Sequence, residues 1–157
     1  MNTALQPRTA AALILLVSAA TVGGAFAFQY LGGYAPCILC WWQRYAHFAA
    51  VALALVSTVA APKRLWIVLA GLAVLASGLI GAFHAGVEYG WWEGFTACTT
   101  TVEDGGDPLE AIMNAPLIRC DVAQWTLAGV SLAGFNAVIS VLSALAIFVL
   151  AAKDRRA

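Results

Sequence analysis

Four long apolar runs constrain what this chain can fold into more than any other feature. They cover, approximately, residues 9–28, 45–61, 65–83 and 125–152, and none of the eight basic or eight acidic residues lies within them. Runs of about 20 residues can cross the roughly 30 Å of a bilayer's hydrocarbon as helices. None alternates polar and apolar residues as a membrane strand does. The sequence therefore predicts an all-α membrane protein, a four-transmembrane-helix bundle forming one domain over residues 1–157.

Composition supports the membrane class. Hydrophobic residues make up 62% of the chain and charged residues only 10%, whereas a soluble domain of this size carries roughly a quarter charged residues. Too little polar surface is left to cover a water-exposed globule. The formal net charge is zero, which gives no indication of nucleic acid as a partner, and none is expected.

Two features predict how the helices pack. Small residues recur in the third run at Gly71, Gly78 and Gly81, and helices can approach closely along such a face. Only Pro62-Lys63-Arg64 joins the second and third runs. Those two helices must therefore be antiparallel neighbours.

The basic residues indicate which way the helices run. Six of the eight lie at the amino terminus, in the short connection or in the tail: Arg8, Lys63, Arg64, Lys153, Arg155 and Arg156. Seven of the eight acidic residues fall on the other side. Since basic residues mark the cytoplasmic side, we expect both termini in the cytoplasm. The loops at 29–44 and 84–124 would then face the periplasm of a bacterial inner membrane.

The first apolar run has one alternative interpretation. Arg8, the run itself and the triplet Ala25-Phe26-Ala27 could form a cleaved signal peptide. The run is long for the apolar region of such a peptide, so a retained helix is favoured. The orientation of the remaining chain is the same in both cases, because a signal peptide enters the membrane in the same direction.

The second outward loop contains a helix-start pattern. Asp107, Pro108 and Glu110 occupy the N-cap, first and third positions that these residue types favour. The residues that follow place apolar side chains on one face, so the sequence allows either a short interfacial helix or a capped turn. Gly105-Gly106 supplies a flexible joint that would let the cysteines on either side change their separation.

All four cysteines fall in the outward loops, and the periplasm is a compartment where disulfides persist. Cys37 and Cys40 form a CxxC motif at the start of the second helix, where the helix dipole favours a thiolate at the first cysteine. Cys98 and Cys120 bracket the second loop. A disulfide between them could exchange with the CxxC pair, or could only stabilise the loop, by about 3 kcal/mol.

A metal site is not expected from these cysteines. Zinc takes four ligands at short spacings, but Cys98 and Cys120 are 22 positions apart with no histidine pair nearby. A purely structural disulfide within the CxxC motif would close too short a loop to constrain the unfolded chain. We therefore interpret Cys37 and Cys40 as a redox-active pair.

Polar residues next to the cysteines are candidates for binding an electron acceptor. Arg44 lies four residues after Cys40, on the same helix face and one turn deeper. It could stabilise a thiolate or donate to an oxygen of a bound acceptor, or it could reach the lipid headgroups. Gln43 could assist with hydrogen bonds. Arg119, next to Cys120, is interpreted as a surface charge.

The two histidines lie near the same boundary. His84 closes the third run at the outer interface, where it could donate a hydrogen bond or a proton to an acceptor, or anchor the helix. His47 lies within the second run, one turn below Arg44. We interpret His47 as a packing residue or an indirect support of the site.

Together these motifs resemble those of the DsbB family of disulfide-bond formation proteins, over almost the whole chain. The motifs that carry the resemblance are Pro36-Cys37-Ile38-Leu39-Cys40 with Gln43-Arg44, the basic turn, His84-Ala85-Gly86-Val87-Glu88 before Trp91-Trp92, and Arg119-Cys120-Asp121 with Trp125. The resemblance implies an inner-membrane oxidoreductase that reoxidises a periplasmic DsbA-type thiol oxidase. Its electrons would pass to a quinone, ubiquinone or menaquinone, so its partners would be that oxidase, the membrane lipid and the quinone pool.

The resemblance also implies a role for each cysteine. Cys98 resembles the cysteine that the DsbA-type oxidase attacks to form a mixed disulfide. Cys120 resembles its partner, which exchanges with Cys37. Cys40 resembles the cysteine whose thiolate meets the quinone ring.

Three further residues resemble those at the family's quinone site. Arg44 resembles the arginine beside the quinone, and His84 the histidine near the same place. Gln43 stands where family members carry glutamate or glutamine.

Two other interpretations stay open from the sequence. A quinone reductase of the vitamin K epoxide reductase type also pairs a CxxC motif with loop cysteines, although its CxxC lies near the last span. A non-enzymatic membrane protein with structural disulfides is the other alternative.

Overall fold

The computed structural model describes residues 5–95 and 118–153. The elements within these ranges are α1 (Leu5–Tyr30), α2 (Ile38–Val59), α3 (Lys63–Glu88), the strands β1 (Thr126–Leu127) and β2 (Val130–Ser131), and α4 (Leu132–Lys153). The prediction of an all-helical protein with four long helices is confirmed, with one small antiparallel hairpin added before α4. Cys98 and the predicted interfacial helix lie outside the described residues.

Three of the described helices are long and apolar enough to cross a membrane. They are the segments Arg8–Tyr30, Lys63–Glu88 and Leu132–Lys153, with mean hydropathies of 2.1, 2.3 and 2.4. The other long helix, α2, has 22 residues, but polar side chains in its first half lower its hydropathy. Its role as the fourth span stays a prediction.

The start of α2 differs from the boundary expected from hydropathy. The helix begins at Ile38, well before the apolar run that starts near Tyr45. Cys37 caps this early start, because its sulfur accepts a hydrogen bond from the Cys40 backbone N–H at 3.2 Å. The CxxC motif therefore forms the first turn of the helix, as its position in the sequence suggested.

The start of α4 also differs from the expectation. The last apolar run begins near Trp125, but the helix begins only at Leu132 because a hairpin occupies the residues between. Ala128 and Gly129, at the tip, have φ values of 51° and 80°, the left-handed conformation that a tight two-residue hairpin loop requires. The sequence did not predict the hairpin, because its residues continue the apolar run.

The helix α3 packs extensively against both α2 and α4 and forms the centre of the bundle. Its small residues make the close contact with α4, as predicted. A Cβ atom on Gly78 would lie 2.9 Å from Val141 Cγ2, and one on Gly81 would lie 3.0 Å from the Ala133 carbonyl oxygen.

The bundle has an apolar half and a polar half. The apolar core contains Ala10, Ile14, Ala50, Ala54, Ile67, Ala70, Val74, Ala144, Ile147 and Ala151. Near the CxxC end, by contrast, buried side chains include glutamine, arginine and histidine. Because polar groups are expensive to bury in a membrane, this half of the bundle is where a functional site is expected.

Replacing Gly78 with valine should destabilise the protein by about 1–3 kcal/mol, since the added carbons have no room against α4. The matched control is Gly23→Val in α1, where a Cβ atom meets nothing within 4 Å. Thermal unfolding of both variants in detergent measures the difference. Equal midpoints for the two variants would contradict the close α3–α4 contact.

Candidate functional site

Cys37 and Cys40 are adjacent free thiols at the start of α2. Their Sγ atoms lie 2.8 Å apart, so forming a disulfide between them requires only a small movement. Cys37 is buried, with 3% of its surface exposed, and Cys40 is more accessible. The pair therefore has one shielded sulfur and one sulfur that a bound molecule can reach.

Burial and the contact with Cys40 act on the protonation of Cys37. Its hydrogen bond with Cys40 and its burial raise the pKa of the Cys37 thiol far above its ordinary value, and the charge on Cys40 adds to the effect. These effects oppose that of the helix start, which favours a thiolate at the first cysteine. In the 2.8 Å contact either sulfur can donate, so the pair can hold one proton and one negative charge.

Cys120 lies against the CxxC motif although it is distant in the sequence. It is fully buried, and it packs with Cys37 and Leu39. Its sulfur is in a disulfide, and because Cys37 and Cys40 are free, the partner is neither of them. Ligand atoms of Cys37, His84 and Cys120 all lie within 4.8 Å of one another. The geometry brings Cys120 close enough to Cys37 for sulfur exchange.

The same three atoms could be considered a metal site. Zinc requires thiolates, however, and usually four ligands. Cys120 contributes a disulfide sulfur, which has no thiolate to offer. The cluster Cys37, His84 and Cys120 therefore fits thiol–disulfide exchange better than metal binding.

His84 is buried at the end of α3 and contacts the cysteine pair. Its Nε2 lies 3.5 Å from Cys37 Sγ, and its Nδ1 lies 3.1 Å from Gln43 Nε2. Only 3% of its surface is exposed, so anchoring at the membrane surface does not describe its position. Gln43 and His84, which the sequence suggested separately, are in direct contact.

Glu88 is a site residue that sequence reasoning missed. Its carboxylate lies one turn from His84, with 3.6 Å between Oε1 and His84 Nε2. Its other oxygen, Oε2, is buried without a hydrogen-bond partner. The sequence grouped Glu88 with the acidic loop residues, although its spacing from His84 by four positions was a usable signal.

Arg44 connects α2 to α1 and is buried, with 6% exposed. It donates hydrogen bonds to the Gln29 side chain and to the Ala25 carbonyl oxygen. Its guanidinium lies over the rings of Phe26 and Trp41, at 4.8 and 4.9 Å from their centroids. The alternative in which Arg44 reaches to the lipid headgroups does not fit this geometry. Its Nε atom is buried without a partner.

Arg119 behaves differently from Arg44. Its side chain is 47% exposed and pairs with Asp121 at 2.7 Å. This fits the interpretation of Arg119 as a surface charge.

A cavity of about 240 Å³ lies next to these residues, bounded by α1, α2, α4 and the end of α3. Most of its wall is apolar, with Phe28, Trp125, Phe135 and Ile139 among the lining residues. The polar part of the wall includes Cys37, Cys40, Gln43, Arg44, His84 and Glu88. The cavity therefore presents one accessible sulfur and several hydrogen-bonding groups to an otherwise apolar molecule.

Comparison with known proteins decides the family. A family model described as "Disulfide bond formation protein DsbB" matches residues 7–150. The chain belongs to the DsbB family. Two curated relatives named "Disulfide bond formation protein B" are each 29% identical over 96% of this chain: one from Acidovorax sp. (strain JS42), of which 90% is covered, and one from Verminephrobacter eiseniae (strain EF01-2), of which 89% is covered.

A third relative with the same name, from Polaromonas sp. (strain JS666 / ATCC BAA-500), is 31% identical over 83% of this chain and 82% of its own length. No solved structure gives a significant match. Membership of the DsbB family confirms the resemblance seen in the sequence, and the names of the relatives indicate a disulfide-forming oxidoreductase.

Proposed function

We propose that this DsbB-family chain reoxidises a periplasmic DsbA-type thiol oxidase and passes the electrons to a membrane quinone. The observation that carries the proposal is the position of Cys37. Its sulfur lies within 4.8 Å of the Cys120 sulfur and 2.8 Å from Cys40, which lines the apolar cavity. Cys37 can therefore exchange with a disulfide-bonded cysteine on one side and a cavity-facing cysteine on the other.

The first part of the reaction is thiol–disulfide exchange. A thiolate of the reduced oxidase attacks Cys98 in a Cys98–Cys120 disulfide, forms a mixed disulfide and releases Cys120 as a thiolate. Cys120 then attacks Cys37 in the oxidised CxxC pair, and Cys40 leaves as a thiolate. A second thiolate of the oxidase resolves the mixed disulfide at Cys98, and the Cys98 thiolate that is released attacks Cys120, which re-forms the Cys98–Cys120 disulfide and frees Cys37 as a thiolate. The closeness of Cys120 and Cys37 supports the middle step.

The cavity residues fit a quinone ring. Such a ring is planar and apolar and has hydrogen-bond-accepting oxygens, and the cavity combines apolar walls with the buried, partnerless donor Nε of Arg44. Bound there, a quinone supplies the two-electron acceptor for restoring the Cys37–Cys40 disulfide. Arg44 would hold an oxygen of the ring, and Cys40 would present its thiolate from the cavity wall. Gln43 and His84 complete the polar side of the site.

The same proposal includes α2 as the fourth span, with the cysteines in the periplasm of a bacterial inner membrane. At about 1.5 Å per residue, its 22 residues extend about 33 Å, enough to cross the hydrocarbon. Its polar residues Gln43, Arg44 and His47 are buried, whereas Phe48, Leu55 and Val59 are exposed. The basic residues near both chain ends support a cytoplasmic location for the termini.

A Cys120→Ser variant should trap an oxidised DsbA-type oxidase on Cys98, because the free Cys98 thiolate opens the disulfide of the oxidase and no Cys120 thiolate is present to displace the oxidase again. Non-reducing gels of membranes containing the variant and a DsbA-type oxidase would show the covalent complex. The matched control is Cys98→Ser, which should trap nothing.

The purified wild type should also oxidise that oxidase with ubiquinone or menaquinone analogues as acceptors, followed by quinone absorbance. Absence of turnover together with four unreactive cysteines would favour a membrane protein with structural disulfides. Turnover with a small dithiol alone, and never with the oxidase, would favour a reductase of the vitamin K epoxide reductase type.

A further inference from the structure

Buried polar side chains from all four helices form one continuous hydrogen-bonded chain that ends at the CxxC pair. Its successive contacts are Ser18 Oγ to His47 Nδ1 at 3.1 Å, His47 Nε2 to Asn136 Oδ1 at 3.2 Å, Asn136 Nδ2 to Gln43 Oε1 at 2.8 Å, Gln43 Nε2 to His84 Nδ1 at 3.1 Å, and His84 Nε2 to Cys37 Sγ at 3.5 Å. Polar groups buried in a membrane protein need such partners.

Two backbone carbonyl oxygens fix the direction of this chain. A carbonyl oxygen can only accept, so the amide atom facing it must be the NH2 group. The Leu39 carbonyl faces Gln43 at 3.1 Å, and the Ser77 carbonyl faces Asn136 at 3.2 Å. Rotating either side-chain amide by 180° would place its oxygen against a backbone carbonyl oxygen. The orientations of Gln43 and Asn136 are therefore determined by the backbone of α2 and α3.

These two amides set the position of the proton on each histidine. The NH2 group of Gln43 donates to Nδ1 of His84, so a neutral His84 carries its proton on Nε2. The oxygen of Asn136 can only accept, so His47 also carries its proton on Nε2. Nδ1 of His47 then accepts from the Ser18 hydroxyl. The position of each proton follows from the partner at the other nitrogen.

The direction continues through the cysteines. Nε2–H of His84 faces Cys37 Sγ, which also accepts from the Cys40 backbone N–H. Two donors directed at the Cys37 sulfur stabilise negative charge on the pair, whose second sulfur, Cys40 Sγ, lies 2.8 Å away and can share the remaining proton. Every hydrogen bond from Ser18 to His84 thus points toward the CxxC pair. Glu88 Oε1 lies 3.6 Å from the same Nε2 and would form an ion pair with a charged His84.

We propose that Asn136 is a positioning residue that acts through Gln43 to keep the proton of His84 on Nε2, where it faces Cys37 and favours the loss of one proton from the Cys37–Cys40 pair. The consequence for electron transfer rests on the proposed function, in which Cys40 is the donating sulfur. The proton position on His84 does not depend on that function. The structure also gives His47 a role beyond packing, because its Nε2–H is a donor to the oxygen of Asn136.

The proton position is measurable by NMR of protein labelled with ¹⁵N-histidine, in detergent and with the CxxC pair reduced. The chain contains two histidines, and a His47→Gln variant assigns their signals. We expect His84 to carry a proton on Nε2 and none on Nδ1. In Gln43→Glu, the ionised carboxylate can only accept, so the proton of His84 should move to Nδ1. A wild-type proton on Nδ1, or no change in Gln43→Glu, would overturn the proposal.

A second measurement follows the Cys40 thiolate. Asn136→Leu removes both the acceptor for His47 and the donor to Gln43. The alkylation rate of Cys40 at neutral pH should fall about tenfold. The proton of His84 should then be distributed between Nδ1 and Nε2. The control is Ser140→Ala, because Ser140 contacts Asn136 Oδ1 at 3.0 Å and His47 Nε2 at 3.3 Å but none of the contacts from Asn136 to Cys40 passes through it. The alkylation rate of Cys40 in this variant should match that of the wild type. An unchanged rate in Asn136→Leu would contradict the positioning role.

The outcomes also separate this proposal from the proposed function. A wild-type protein that reduces no quinone would contradict the proposed function. The NMR result could still be interpreted, because the NMR sample contains neither quinone nor oxidase. If Asn136→Leu does not fold, Asn136→Ala is measured in its place, because it removes the same acceptor for His47 and the same donor to Gln43 with a smaller side chain.

Discussion

Replacing Cys40 with serine is expected to lower dithiol-dependent quinone reduction by at least about a thousandfold, the scale of loss when a reacting nucleophile is removed. Serine cannot form a disulfide with Cys37, and its hydroxyl does not ionise near neutral pH. Cys40 packs against the buried cluster of Cys37, Leu39 and Cys120, and serine preserves this contact because it differs from cysteine only in one side-chain atom. Cys98 should therefore still form a mixed disulfide with the oxidase.

Two assays of the Cys40→Ser protein check this result. Quinone absorbance follows the loss of turnover, and non-reducing gels follow the mixed disulfide, with Cys98→Ser as the variant that should lack it. Full quinone reduction by Cys40→Ser would refute the relay, because no other described cysteine lines the cavity together with Cys37.

Replacing Arg44 with methionine is expected to raise the KM for quinone about 10- to 100-fold, which corresponds to losing one hydrogen bond from a charged donor. Methionine keeps much of the apolar contact with Phe26 and Trp41 but removes the guanidinium. The rate of mixed-disulfide formation with the oxidase should be unchanged, because Arg44 contacts α1 and not Cys120.

The conservative variant Arg44→Lys separates charge from shape. Lysine keeps the positive charge but cannot make the paired contacts to Gln29 and the Ala25 carbonyl. We expect its KM to lie between those of wild type and Arg44→Met. Steady-state kinetics over a range of quinone concentrations measures this order, and an unchanged KM in Arg44→Met would remove Arg44 from the quinone site.

Much of this arrangement could be predicted from the sequence because it depends on local patterns. The length of the apolar runs predicts the helices, and the positions of the basic residues predict a common side for the cysteines. The spacing of Cys37, Cys40 and Arg44 predicts that they share one helix face. All three line the same cavity in the structure.

The remaining features depend on contacts between segments that are distant in the sequence. Asn136 lies in an apolar run, and only the fold brings it to Gln43. Which cysteine holds the proton depends on burial and on the contact between the two sulfurs, which spacing does not reveal. The hairpin before α4 escaped prediction because hydropathy does not distinguish a short β-turn from the start of an apolar helix.

In the proposed topology, in which α2 is the fourth span, its low hydropathy bears on how the protein enters the membrane. An arginine near the centre of an isolated helix costs about 2.5–3.5 kcal/mol on insertion scales, and α2 carries Arg44 together with Gln43 and His47 in its first half. Their partners lie on α1, α3 and α4. The redox helix is therefore the one least able to insert alone. Since only a short turn joins it to the strongly apolar α3, the two helices are expected to leave the translocon as a hairpin, with α3 supplying the driving force for both.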